Sequence, residues 1–296
     1  MASLPRGHCS HDRQQARPPA PLHEFLIHLP SGEHRGRYAN EAQAHRTPAH
    51  SGRWGASRFP GEPLAMLGGK PLLWHVHQRC QEAQRLDDAV VATDDHRIEE
   101  VCQQLGIPCL MTGEHATGTD RVAACAQHLE ADGYINVQGD EPFIDPAAID
   151  AVSEAVAHLE AATPAVNAYT PIADTAAAID HNVVKVVIST DSNALMFSRQ
   201  PIPYPRSGYP AYFRQLGLYG FTAAGLEVFR KLDQGPLERA EGVEMLRFIE
   251  HSYNVRMLPV ADAGLAVDTP EDLVRAQRLL QRTWSCPEAE APRKCP

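Results

Sequence analysis

Four short stretches carry the side chains most able to do chemistry. The first is VQGDEP, which ends the apolar run YINV and delivers Gln138, Gly139, Asp140 and Glu141 in succession at the end of a buried strand. In α/β sheets ligands lie beyond the carboxyl ends of the strands, so these groups stand where a ligand would be met. Asp140 is a candidate Mg²⁺ ligand. Mg²⁺ takes one or two carboxylates and completes its shell with phosphate oxygens and water, so one strand-end Asp with one distant partner suffices. Asp268, in VDTPED, is the natural partner. The plain alternatives are a turn ahead of Pro142 for Asp140 and a helix cap for Asp268.

The second pair of stretches suits anions. In RWGASRFPGEPL, residues 53–64, the small residues Gly55, Ala56 and Ser57 let backbone N–H groups approach phosphate, and Arg53 and Arg58 can fork onto it. Glu62 puts an acid where such a cradle would want a lysine. In HATGTDR, Thr117, Gly118 and Thr119 form a small hydroxyl-bearing turn with Arg121 at a helix start, a geometry for an anion or a base edge. An ordinary N-cap reads the same way.

These groups need a scaffold. LLWHVHQRCQEA (72–83) reads as an amphipathic helix, DAVVATDD (88–95) as a buried strand ending in acids, and HRIEEVCQQLG as a second helix leading to the strand PCLMTG. A third helix, TDRVAACAQHLEA, leads into the strand YINVQGDEPFI (134–144). Such alternation implies crossovers and a mainly parallel, Rossmann-like sheet flanked by helices. VVKVVIST, ALMFSRQPIP and QLGLYGFTAAGLEVF read as strands with shorter links, an antiparallel extension of that sheet. LERAEGVEMLRFIEH (237–251) reads as one helix with Glu238, Glu241 and Glu244 three apart on one face, and AVDTPEDLVRAQRLLQR as a closing helix capped by Thr269 or Asp268.

Composition narrows the class. A formal charge of −10 argues against a nucleic-acid surface, so an anionic ligand must be met by a few local arginines. The seven cysteines are scattered without a C-x-x-C, which fits a reducing cytoplasm rather than a disulfide framework or zinc site. No apolar run is long enough to span a bilayer. Residues 1–48 are rich in Arg, His, Pro and Gln and read as disordered or as not representing the productive N-terminus; 49–283 form one domain, and 284–296 a flexible tail. A buried strand should precede residue 53, yet EAQAHRTPAH is polar; EFLIHLP (24–30) could fill that slot only through a long connector, which loop statistics disfavour.

Taken together, RWGASRFPGEPL, ATDD, TGTDR, NVQGDEP, FSRQPIP, LGLYGF, a Glu-spaced helix ending in LR, and VDTPEDL resemble, in that order, the CMP-Kdo synthetases (3-deoxy-manno-octulosonate cytidylyltransferases) over about residues 50–280. The resemblance implies a CTP-dependent nucleotidyltransferase that uses Mg²⁺ to transfer CMP to an acidic acceptor with release of pyrophosphate, and that forms a homodimer. It assigns Arg53 and Arg58 to the triphosphate, Arg121 and its Thr-Gly-Thr turn to the cytidine, and Asp140 with Asp268 to magnesium. Gln138, Arg199, Tyr219 and Glu244 would face the acceptor, and Gln215 stands on that side in place of a family histidine.

Three departures bear on the substrate. Glu62 replaces the usual lysine of PGKPL, Gln215 replaces a His, and Met245 replaces the Gln that normally follows Glu244. The last two fall on the sugar side, and a Met cannot bond sugar hydroxyls. That asymmetry favours a small phosphonate acceptor such as phosphonoformate, of antibiotic or phosphonate biosynthesis, over Kdo, the sugar acid of lipopolysaccharide. A catalytically weakened nucleotide-binding protein is the third reading.

Overall fold

The computed structural model describes residues 24–28, 59, 61–208, 210–261 and 264–284. The first half runs β1 (Glu24–His28), β2 (Met66–Leu67), β3 (Lys70–Pro71), α1 (Leu72–Glu82), β4 (Asp88–Thr93), α2 (His96–Leu105), β5 (Cys109–Met111), α3 (Gly118–Ala126) and β6 (Gly133–Gln138). Then come α4 (Pro146–Val156), β7 (Ala165–Pro171), α5 (Thr175–Ile179), β8 (Lys185–Ile188), β9 (Ala194–Ser198) and β10 (Phe213–Thr222). α6 (Ala223–Lys231), α7 (Pro236–Glu241), α8 (Leu246–Glu250), β11 (Val255–Pro259) and α9 (Pro270–Trp284) complete the described chain.

The helices start where the chain offers side-chain acceptors. Asp95, Thr117, Asp145 and Thr222 cap α2, α3, α4 and α6, each accepting from a backbone N–H of the first turn, and Pro146 pre-sets φ at the start of α4. The cap at Thr222 explains one departure from the sequence reading, since AAGLEVF continues β10 by composition but folds as α6. Likewise β6 ends at Gln138, and residues 139–144 turn rather than extend.

The main sheet has the order β11-β7-β10-β6-β1-β4-β5, with β8 and β9 attached through β10. β4 and β5 pair in parallel, as do β7 and β11, whereas β10 opposes both β6 and β7. β1 opposes both β4 and β6, so β4, β5, β6, β7 and β11 all point one way. Their carboxyl ends therefore share one edge, and the antiparallel β10 brings its starting residues to that same edge.

β1 is a difference from expectation. Although residues 1–48 read as disordered or unproductive, Glu24–His28 hydrogen-bonds along its whole length between Asp88–Ala92 and Tyr134–Gln138. The slot that the polar EAQAHRTPAH could not fill by pattern is occupied by the apolar EFLIH, reached from the opposite direction. The rest of the 1–48 segment and the 284–296 tail, apart from Trp284 at the end of α9, lie outside the described residues.

Two apolar clusters sandwich the sheet. One joins Leu73, Val76, Ile98, Ile149 and Val152 from α1, α2 and α4 to Ile135 and Val137 of β6. The other joins Val122, Phe229 and Phe248 from α3, α6 and α8 to Tyr134, Phe197 and Phe221. Alternate residues of β6 thus face opposite layers, as the strand period requires. A smaller cluster of Leu67, Leu72, Val267 and Ala276 ties α9 to the β2–β3 hairpin and sets the VDTPED segment beside the end of β6. No helix among the described residues is long and apolar enough to cross a membrane.

Candidate active site

The acids at 140 and 268 meet. Val267 N donates to Asp140 O at 2.8 Å, which lays the chain before α9 against the turn after β6. Thr269, not Asp268, caps α9: its hydroxyl accepts from Asp272 N at 3.2 Å and donates to Asp272 Oδ2 at 2.8 Å. The charge of Asp268 bears on Asp140. Asp140 Oδ1 is buried with no hydrogen-bond partner among the described residues. Burial first, then the negative charges of Glu141 and Asp268, hold its carboxyl well above the usual value, while Arg214 pulls the other way. Arg214 Nη2 lies 4.0 Å from Glu141 Oε1. A desolvated carboxylate facing two like charges is a seat that a divalent cation relieves, so these residues fit Mg²⁺. No group of three His, Cys, Asp or Glu with metal-holding spacing occurs among the described residues. Two carboxylates are enough when substrate phosphates complete the shell.

The turn at the start of α3 is held from several sides. Thr117 Oγ1 accepts from Asp120 N at 3.1 Å and donates to Asp120 Oδ2 at 2.8 Å. Arg121 is 2% exposed; Nη2 pairs with Asp94 Oδ2 at 3.1 Å and Nη1 donates to Thr112 Oγ1. Arg121 is therefore fixed in the wall by the ends of β4 and β5, and among the described residues its Nε has no partner. Asp94, the first acid of ATDD, went unassigned in the sequence reading although its strand-end position was plain.

The residues expected at the acceptor divide. Gln138, Gln215 and Tyr219 come together: Gln138 Nε2 and Gln215 Nε2 both approach the Tyr219 hydroxyl at 3.4 Å. Close approach of β10 here requires Gly217, because a Cβ at that position would stand 2.5 Å from Gln138 Oε1. Arg199 is pinned at every backbone group. Its N–H donates to Glu241 Oε2 at 2.8 Å, and its carbonyl accepts from the fully buried Lys185. Its guanidinium donates only to carbonyl oxygens, Nε to Glu241 O at 2.8 Å and Nη1 to His181 O at 3.0 Å. Among the described residues no carboxylate pairs with that guanidinium.

Glu244 is not with them. Its two oxygens accept from Gly118 N at 3.0 Å and Thr119 N at 2.9 Å, so it braces the α3 turn instead of facing an acceptor. Burial raises its pKa, and the bonds from Thr119 and Gly118 work against that rise. The reason is a broken helix: Gly242, in the left-handed region at φ 62°, ends α7, and α8 begins only at Leu246. Glu238 and Glu241 remain together in α7, while Glu244, beyond the break, turns to a different partner rather than continuing their face. Arg53, Gly55, Ala56, Ser57 and Arg58 lie outside the described residues. Glu62 is half-buried in the 3-10 turn Glu62–Leu64, which follows Gly61.

Comparison with known proteins agrees with this geometry. The family model described as cytidylyltransferase matches residues 51–256. A 3-deoxy-manno-octulosonate cytidylyltransferase of Anaeromyxobacter dehalogenans (strain 2CP-1 / ATCC BAA-258) is 46% identical over 233 residues, covering 77% of this chain and 94% of that protein. The chain belongs to the CMP-Kdo synthetase family of cytidylyltransferases. An Escherichia coli protein of the same description is 38% identical over 230 residues, covering 77% of this chain and 93% of its own. A solved CMP:2-keto-3-deoxy-manno-octonic acid synthetase, complexed with CTP, superposes with a TM-score of 0.72 at 37% identity, over 78% of this chain and 96% of that one.

In this CTP-dependent nucleotidyltransferase the candidate site groups stand on the shared carboxyl edge of the sheet, where ligands of α/β sheets are met. One sequence inference is corrected within this cytidylyltransferase. Met245 is fully buried in the apolar cluster with Val243, Leu246 and Phe248, so its thioether fills the core and does not line a sugar pocket. The loss of a hydrogen-bonding group at 245 therefore says nothing about a polyol acceptor, and half the case for a phosphonate goes with it.

Proposed function

We propose that this cytidylyltransferase transfers CMP from CTP to 3-deoxy-manno-octulosonate, releasing pyrophosphate, with Mg²⁺ as its cofactor. The observation that carries the acceptor is 46% identity to a curated Kdo cytidylyltransferase over 94% of its length. The site supports it in two ways. The guanidinium of Arg199, held by carbonyls and paired with no carboxylate among the described residues, keeps its charge for an acidic acceptor. Gln138, Gln215 and Tyr219 offer amide and hydroxyl groups to acceptor oxygens in the same corner.

The reaction is an in-line displacement. An acceptor oxygen, its proton given up to water, attacks the α-phosphorus of CTP; one P–O bond forms and the bond to pyrophosphate breaks, the pyrophosphate leaving with that electron pair. Asp140 and Asp268 would hold Mg²⁺, which when bound neutralises charge on the phosphates. Arg199 and the Gln138 corner orient the acceptor, and the braced α3 turn with Thr117, Gly118 and Thr119 positions the cytidine. Arg53 and Arg58 serve the triphosphate. Positioning and charge neutralisation suffice, with no side-chain nucleophile.

Pyrophosphate release measured with CTP, Mg²⁺ and a panel of Kdo, other sugar acids and phosphonoformate tests the reading. Turnover with Kdo at least about a hundredfold above phosphonoformate is expected, because a polar pocket rejects analogues that leave its groups unpaired. Turnover with phosphonoformate alone would restore the phosphonate assignment.

A further inference from the structure

The short stretch between Glu238 and Arg247 touches both halves of the site. From it, Glu244 takes the backbone N–H groups of Gly118 and Thr119. Arg247 reaches the same turn through Asp120, with Nη1 to Oδ1 at 2.6 Å and Nη2 to Oδ2 at 2.9 Å. The same guanidinium donates to Glu238, Nε to Oε2 at 2.8 Å and Nη2 to Oε1 at 2.7 Å, and lies 3.9 Å from the centroid of the Phe229 ring. On the opposite flank, Glu241 receives Ser198 Oγ at 2.7 Å and Arg199 N at 2.8 Å, while its carbonyl takes Arg199 Nε.

Most of this hardware is buried: Arg247 and Glu238 are 2% exposed and Glu244 is 7% exposed. A buried arginine between two carboxylates is expensive to assemble, and packed apolar side chains would stabilise the fold as well or better. Stability alone does not account for it. What the network provides is direction, since a bidentate fork fixes both distance and angle between α8 and the start of α3.

We infer that Glu244 and Arg247 are positioning residues for the nucleotide. They hold the Thr117–Gly118–Thr119 turn from the segment whose other side, through Glu241, sets Arg199. One rigid mount thereby fixes the nucleotide turn and the acceptor arginine in a common frame, which a reaction needing in-line approach requires. The inference rests on the proposed roles of that turn and of Arg199. It deepens that reading by naming residues that act on the turn.

The test uses the full chain and the variants Glu244→Gln, Arg247→Lys and Glu241→Gln. CTP affinity is read by calorimetry without any acceptor, beside thermal unfolding and, with the acceptor that supports turnover, kcat and KM. Glu244→Gln must turn an amide N–H toward one of two backbone donors, and Arg247→Lys keeps the charge but loses the fork. Each should weaken CTP about tenfold or more in protein that is still fully folded at the temperature of the assay, whatever its loss of melting temperature. Glu241→Gln should leave CTP affinity unaltered and raise the acceptor KM by about the same factor. CTP affinity unchanged in a folded Glu244→Gln protein overturns the inference, as does a uniform fall in kcat and melting temperature across all three. If Arg247→Lys fails to fold, Glu244→Gln decides. Absence of turnover with Kdo would sink the acceptor assignment but leave the CTP result standing, so the two failures are distinguishable.

Discussion

The start of α3 and the Gln138 corner lie on the same edge of the sheet, yet they are built differently. At α3, Gly118, Thr119, Asp120 and Arg121 are held by charged or charge-assisted bonds of 3.1 Å or less, reaching from β4, Met245's neighbour Glu244, and α8. In the corner, Gln138, Gln215 and Tyr219 meet only at 3.4 Å, with neutral groups. Bonds of the first kind are short and about twice as strong; those of the second are near the limit of a hydrogen bond. The turn proposed for the nucleotide is thus held by the chain itself. The corner proposed for the acceptor holds its amide donors loosely, at 3.4 Å, so that they can exchange one partner for another.

The most damaging way to break this comparison lies between the two regions. Asp140→Asn removes one carboxylate of the proposed metal seat, and kcat should fall by about a thousandfold, the scale on which a metal clamp stabilises developing charge. The same change removes the repulsion of Glu141 and Asp268 in the metal-free protein. The variant should therefore melt no lower than wild type without Mg²⁺, and Mg²⁺ should raise the melting temperature of wild type only. A magnesium-dependent shift that persists in Asp140→Asn would place the cation elsewhere.

A second change acts on the corner alone. In Gly217→Ala the new Cβ would stand 2.5 Å from Gln138 Oε1 and 3.0 Å from Gln138 Cβ, so the amide must swing away from Tyr219. Acceptor KM should rise by about tenfold to a hundredfold while CTP affinity stays as it is, since small displacements of positioning groups carry penalties of that order. Equal losses for both substrates would show that corner and turn are not separate.

These regions also differ in how far the sequence disclosed them. Strand-end acids, small turns and helix caps are local patterns, so Asp140, the Thr117 cap, β4, α2 and α9 are legible from residue order. Which of Asp268 and Thr269 caps α9 needed the fold, because VDTPED permits both and the Thr269 hydroxyl accepts from Asp272 N. The 237–251 segment misled for a physical reason: a three-residue spacing of Glu reads as one helical face, but a single left-handed Gly242 redirects every later side chain. Met245 misled likewise, since burial is a tertiary property that no local pattern supplies. β1 shows the converse, with an apolar EFLIH finding the open slot despite the length of chain before α1.

Glu62→Lys sharpens the comparison from the phosphate side. If Glu62 faces the triphosphate, exchanging repulsion for attraction should tighten CTP by about tenfold, or about 1.4 kcal/mol, and this gain should shrink as salt rises. Acceptor KM should not move. Unaltered CTP affinity at low ionic strength would show that the half-buried Glu62 serves the 3-10 turn it opens rather than the ligand.

The smallest expected effect is a pH slope at the braced turn. Burial holds the Glu244 carboxyl above the ordinary glutamate value of 4.5, despite the opposing bonds from Thr119 and Gly118. The folded protein therefore binds that proton more tightly than the unfolded chain does. Linkage gives the sign: stability from this group is full below 4.5 and is lost as pH rises through the folded value. Glu244→Gln cannot titrate, so its unfolding free energy lacks this component. In denaturant titrations from pH 4.5 to 7.5, wild type should lose stability relative to Glu244→Gln as pH rises. Parallel curves would mean that the N–H groups of Gly118 and Thr119 fully offset the cost of burying the charge, making the brace still more favourable than its desolvation suggests.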